Sequence, residues 1–197
     1  MVEGSPFERR SEFFDEAFDG IECRECHLDG KEFNGCTFVG VQLAGSTLSM
    51  CKFVDCTFRR CDLSNILVKG CTWKDVTFED SKLLGVNWTA GKVVTHLTFR
   101  RSTLNFSNFS GLDLRNSVVA ECVAREVELG HTNLSEADCR KTDFSGARFS
   151  QTNLSKCDFR EAVNYAIRPD DNMIKKTRFS MPEATALLYG MDIILDE

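Results

Sequence analysis

The sequence predicts an all-β solenoid, a chain that turns a corner every five residues and winds about a common apolar interior. The first observation is the stretch Cys51-Lys52-Phe53-Val54-Asp55-Cys56-Thr57-Phe58-Arg59-Arg60-Cys61-Asp62-Leu63-Ser64-Asn65. It is one unit three times: a small residue, a polar one, a large apolar one, then two tolerant positions. The centres are Phe53, Phe58 and Leu63, each with a cysteine two positions before it. The second observation is how far the beat carries. Centres recur every five residues from Phe18 to Trp88 and again from Phe99 to Phe159, and none of these 28 positions is polar or charged. The third is that no regular element keeps such centres together. Five residues advance an α-helix roughly 140° past a full turn, spreading the centres around its circumference. A strand alternates faces, so an odd period throws successive centres to opposite sides. A chain that turns at every repeat keeps them all inside.

The elements follow in order. Residues 1–17 lie off the beat and are acidic, with Glu3, Glu8, Glu12, Asp15 and Glu16 against Arg9 and Arg10. A solenoid's first coil exposes an edge of unpaired backbone, and Phe7, Phe13 and Phe14 favour a cap over it rather than an unfolded acidic tail. The repeat region is expected over 18–164, with no proline between Pro6 and Pro169, as a backbone-paired column requires. Between Trp88 and Phe99 the spacing is two repeats plus one residue, which predicts a single-residue bulge within Gly91–His96. That bulge either re-aims a surface or is a tolerated insertion. Residues 165–197 form the closing tail. Ser180 and Glu183 read as a capping box, Pro182 suits a first helical turn, and Gly190 is a stop. Met191–Leu195 is a short β-prone end. The composition, 197 residues with 42% apolar and 27% charged, suits one domain. No long apolar run and no basic-then-apolar leader is present, so no membrane span is expected and the cytoplasm is the expected location.

Units such as Thr152-Asn153-Leu154-Ser155-Lys156 and Ala137-Asp138-Cys139-Arg140-Lys141 resemble those of the pentapeptide-repeat family. The resemblance implies a right-handed quadrilateral parallel β-helix, four repeats to a coil and about seven coils, with a short C-terminal helix. Residues 20 apart then stack. Phe18, Phe38, Phe58 and Phe78 form one expected ladder, and Phe33, Phe53 and Trp73 another. The tail is similar to that of the fluoroquinolone-resistance (Qnr-like) subgroup, where a C-terminal element makes a two-fold dimer. This implies a homodimer here, with Leu187, Leu188, Ile193 and Leu195 as interface candidates.

Residues that look like chemistry are better explained by the repeat. Cys23-Arg24-Glu25-Cys26-His27 matches a covalent haem-attachment pattern, yet Cys23 is a centre and Cys26 the small residue before Leu28. All ten cysteines occupy packing positions and read as small buried hydrophobes, free thiols in a reducing compartment. Cys36 and Cys56, or Cys51 and Cys71, stand one coil apart, near disulfide distance, but the same compartment argues against bonding. Periodic spacing makes ladders, not a converging zinc site. Asp62, Asp113, Asp138, Asp143, Asp158, Asn133 and Asn153 precede centres and read as corner residues bonding nearby backbone, not as acid–base pairs. His27, His96 and His131 are scattered, and there is no glycine-rich phosphate loop. A column filled by Phe and Leu leaves no room for a substrate cleft, so neither an enzyme nor a cofactor is expected.

The net charge of −6 has the wrong sign for a nucleic-acid binder. The Qnr-like resemblance implies a protein that binds DNA gyrase and topoisomerase IV by imitating duplex DNA. Residues 21–160 carry 17 acids and 18 bases, so the column is near neutral. The densest acidic spots, Glu79-Asp80 together with Asp192, Asp196 and Glu197, are the partner-binding candidates. The alternative is a scaffold of the same fold with a different protein partner.

Overall fold

Each five-residue unit is a short extended segment followed by a corner, and the corner explains the period. The residue two positions after a centre takes a positive φ, as at Asp55 (53°), Asn65 (56°) and Phe106 (63°). That left-handed residue reverses the side from which the next segment leaves, so each centre again points inward. Non-glycine residues adopt this conformation at a cost of roughly 1–2 kcal/mol each. Phe106 is 59% exposed, so its side chain contributes little burial. Phe106→Gly is therefore expected to be neutral to stabilising by roughly 0.5–1 kcal/mol, measured by denaturation.

The computed structural model describes residues 7, 10–191 and 193. They form a parallel β-solenoid of about eight turns with one short C-terminal helix. One face is a five-stranded parallel sheet of Glu12–Phe14, Glu32–Asn34, Lys52–Val54, Thr72–Lys74 and Val93–Thr95. The next is a six-stranded sheet from Ala17–Asp19 to Val118–Ala120. Later coils are tied largely by single bridges at the same 20-residue step, such as Asp113 to Asn133 and Asn133 to Asn153.

Both expected ladders form. Phe18, Phe38, Phe58 and Phe78 stack with centroids 5.0, 4.3 and 5.2 Å apart, and the ladder continues to Phe99 at 5.1 Å. Phe33, Phe53 and Trp73 stack at 5.0 and 4.1 Å, preceded by Phe13 at 4.8 Å. The column is thus longer than the expected 18–164, and Phe13, five residues before Phe18, lies on the beat rather than off it. It begins at Glu12–Phe14, and Phe7 plugs its end, its ring 5.2 Å from Phe18 and 5.6 Å from Phe33. At the other end it runs past 164 to Arg178–Phe179, which pairs with Asp158–Phe159. Asn164 and Pro169 stand where centres would, and the buried Tyr165 and Ile167 fill the interior there instead. This accounts for about eight turns rather than about seven.

Three further expectations need correction. The extra residue near 90 is absorbed before Gly91, in a 3-10 turn over Trp88–Ala90. Asn87 accepts from the Thr89 backbone N–H there, and the Gly91 N–H donates to the Trp88 carbonyl. Thereafter pairing runs at 21, as in Lys82 with Thr103, before returning to 20. Second, Cys23 and Cys26 are joined as a disulfide, leaving eight buried free cysteines rather than ten. The left-handed corner at Glu25 folds a centre against the residue three positions on, bringing the two Cα atoms to 5.5 Å. Bonded to each other, these cysteines offer no thiol to a haem. Third, the capping box does not form: Ser180 Oγ accepts from the Glu161 backbone N–H, one coil away. The helix is only Ala186–Tyr189, after a 3-10 turn at Glu183–Thr185. Gly190 ends that helix, as expected, but at φ −64°, so space rather than a left-handed conformation selects it. A Cβ there would lie 2.8 Å from the Ile167 carbonyl oxygen.

The interior changes along the rod, from ring stacks to small side chains and back to rings at Phe144, Phe149 and Phe159. Up to Phe109 it is built largely of aromatic rings, whereas Val119, Ala124 and Cys139 are small. A cavity of about 20 Å³ remains among Leu104, Ala124, Leu134 and Phe144. Its lining is apolar, and apolar cavities of this kind stay dry.

Candidate interaction surfaces

The residue two positions before each centre faces the coil below and satisfies its backbone. Fourteen such side chains donate to the carbonyl of a residue 23 or 24 positions earlier, itself a centre. Among them are Cys51 to Leu28 (3.4 Å), Cys71 to Leu48 (3.2 Å), Ser107 to Leu83 (2.8 Å), Thr132 to Phe109 (2.9 Å) and Thr142 to Val119 (2.6 Å). The cysteines are therefore weak donors as well as small fillers. Burial raises the thiols of Cys56 and Cys122 to about 12 and of Cys61 to about 11, from an ordinary 9.0. The sign follows directly: the folded protein holds these protons over a range where the unfolded chain releases them. The thiol contribution is level from neutral pH to 9, and stability is expected to fall as pH rises from 9 towards 12, measured by denaturant midpoints across that range.

The Asp and Asn residues before centres bond locally. All seven accept from the backbone N–H two residues on, for example Asp62 from Ser64, Asn133 from Ser135 and Asp143 from Ser145. Arg115, Arg140 and Arg160 hold the carboxyls of Asp113, Asp138 and Asp158 below the usual range. Burial works to raise Asp143, but hydrogen bonds from Ser145, Asn164 and Arg125 outweigh it and its carboxyl is lowered. Carboxylates held ionised in this way lock corners and are poor general acids at neutral pH.

The outward charges stack in columns one coil apart. Arg60, Asp80, Arg101, Glu121, Lys141 and Glu161 alternate in sign along one edge. The candidate Glu79 pairs with Arg59 at 3.0 Å, and Asp80 with Arg101 at 2.8 Å. Among the described residues, no column carries acids in more than two successive coils. Asp192, Asp196 and Glu197 lie outside the described residues, as does Leu195. Of the remaining tail candidates, Leu187 packs onto the core, whereas Leu188 and Ile193 are exposed. Met181, Tyr189 and Met191 are exposed beside them in the chain. No three metal-ligating side chains converge among the described residues, and none of their helices is long and apolar enough to cross a membrane.

These features define a class: a parallel solenoid filled by its own side chains, presenting outward columns rather than a cleft. The chain belongs to the pentapeptide-repeat family. Residues 9–88 match the pentapeptide repeat region and residues 125–162 match the eight-copy pentapeptide repeats. No curated protein matches the chain. Two solved structures of trypsin-treated variants of QnrB1, a plasmid-mediated fluoroquinolone resistance protein, share the fold. One is 17% identical with a TM-score of 0.65, covering 95% of this chain and 97% of that one. The other is 16% identical with a TM-score of 0.54, covering 94% and 100%.

Proposed function

We propose that the protein is a non-enzymatic protein-binding rod that engages a type II topoisomerase, DNA gyrase or topoisomerase IV, and protects it from quinolones or toxins. The observation that carries this reading is the likeness to QnrB1, which runs nearly end to end in both chains. The filled interior supports it as well, since binding must then use the outer faces. Imitation of DNA would rest on rod shape and on the acidic tail, because Glu79 and Asp80 are neutralised by Arg59 and Arg101. That same neutralisation favours the second reading, a scaffold of this fold with a different protein partner.

The test is DNA supercoiling by purified gyrase with ciprofloxacin, titrating the protein from nanomolar to micromolar. Restored supercoiling at low concentration, with inhibition at high concentration, is expected. No effect from a verified folded protein would leave only the second reading. A homodimer through the tail belongs to the proposal, supported by the exposed apolar group Met181, Leu188, Tyr189, Met191 and Ile193. Leu188→Asp with Ile193→Asp is expected to yield folded monomers by light scattering; a persisting dimer would move the interface elsewhere.

A further inference from the structure

We propose that the last coil carries a binding site for a carboxylate-rich peptide segment, formed by Lys156, Lys176 and Arg178. This inference does not depend on the topoisomerase reading. At several places along the rod, a base finds an acid one coil away. Lys52 pairs with Glu32, Arg59 with Glu79, Arg101 with Asp80, and Arg148 with Glu128. In the last coil several neighbouring bases lack such a partner. Lys176 stands above Lys156, which is itself committed to Glu136 below at 2.6 Å. Arg178 stands above Asp158 in the strand pairing, but Asp158 is held by Arg160 at 2.6 Å, with Arg140 4.0 Å away. Lys175 stands above Ser155. Lys175, Lys176 and Arg178 are all exposed, and none makes a side-chain hydrogen bond or ion pair among the described residues.

The shape agrees with the charge. Lys156, Asp158, Lys176 and Arg178 line an open groove of about 430 Å³. The strand Arg178–Phe179 pairs with Asp158–Phe159 on one side only, so it lies at the edge of its sheet. Lys176 stands at the left-handed corner (φ 60°) that leads into this strand, two residues before Arg178, and both side chains line the groove. A ligand carrying several carboxylates would meet both cations in this groove. A nucleic acid fits less well: duplex binding gains from neutralising many phosphates, whereas this groove offers few cations on a chain of net charge −6.

The test uses a fluorescein-labelled peptide bearing three glutamates at alternate positions, with fluorescence polarisation on the full chain at low and physiological salt. Saturable binding at low salt that weakens as salt rises is expected. Lys176→Glu with Arg178→Glu should weaken it roughly tenfold or more, and the milder Lys176→Gln with Arg178→Gln should weaken it less. Lys69→Glu with Lys92→Glu, which changes two cations elsewhere that make no ion pair among the described residues, should leave it unchanged. Circular dichroism confirms that each variant is folded. Absence of binding at low salt, or equal binding by the groove variants and the parent, overturns the proposal. So does stronger binding of a short DNA duplex that displaces the peptide, which would assign the groove to nucleic acid.

Discussion

Phe58→Ala is expected to destabilise the protein by about 3–5 kcal/mol, seen as a lower denaturant midpoint at unchanged slope. Phe58 is fully buried, stacked 4.3 Å from Phe38 and 5.2 Å from Phe78, with Phe53 and Trp73 beside it at 5.7 and 6.0 Å. The coils above and below are tied by ladder hydrogen bonds on both sides of the lost ring, so the walls cannot close over the hole. Cost rises with the cavity that remains, and this position permits little collapse. Phe14 gives the matched control: it is 60% exposed on the same chemistry, and Phe14→Ala should stay within about 0.5 kcal/mol. A neutral result at Phe58 would refute the inward ladder.

The second large effect is expected from a hydroxyl. Thr142 donates to the Val119 carbonyl at 2.6 Å and accepts from the Cys122 backbone N–H at 3.1 Å, with no exposed surface. Thr142→Val keeps the volume and removes both bonds, leaving a buried donor and acceptor without this partner. The expected loss is about 1–3 kcal/mol in the same denaturation measurement. Thr142→Ser retains a donor and an acceptor and should recover most of it. If valine matched threonine, the small position would be a matter of size alone.

The contrast between these two positions shows what was legible in the sequence. Phe58 announces itself because a large apolar residue every fifth place has one physical explanation. Thr142 does not, because Cys, Ser, Thr and Ala all pass as small, and their bonds run to carbonyls 23 residues away. The ends were harder for a related reason. Phe13 lies on the beat, but the preceding place is Glu8, and the plug is supplied one residue earlier by Phe7. Near the C-terminus, Asn164 and Pro169 interrupt the apolar pattern although backbone pairing continues to Phe179. The Cys23–Cys26 bond depends on corner geometry that a five-residue rhythm does not specify. Among the surface candidates, charge counts found Glu79 and Asp80 but not their partners, which stand one coil away rather than nearby in sequence.

The change in the interior from ring stacks to small side chains also has a mechanical meaning. In a solenoid each coil is held only by its neighbours, so resistance to extension is a local property that varies along the axis. Pulled from its two ends, this rod has a stiff segment where Phe38, Phe58 and Phe78 lie ring upon ring. Its compliant segment lies around Ala124 and Leu134, where the packing leaves space. A partner gripping the whole length would meet a compliant middle between two ring-packed stretches.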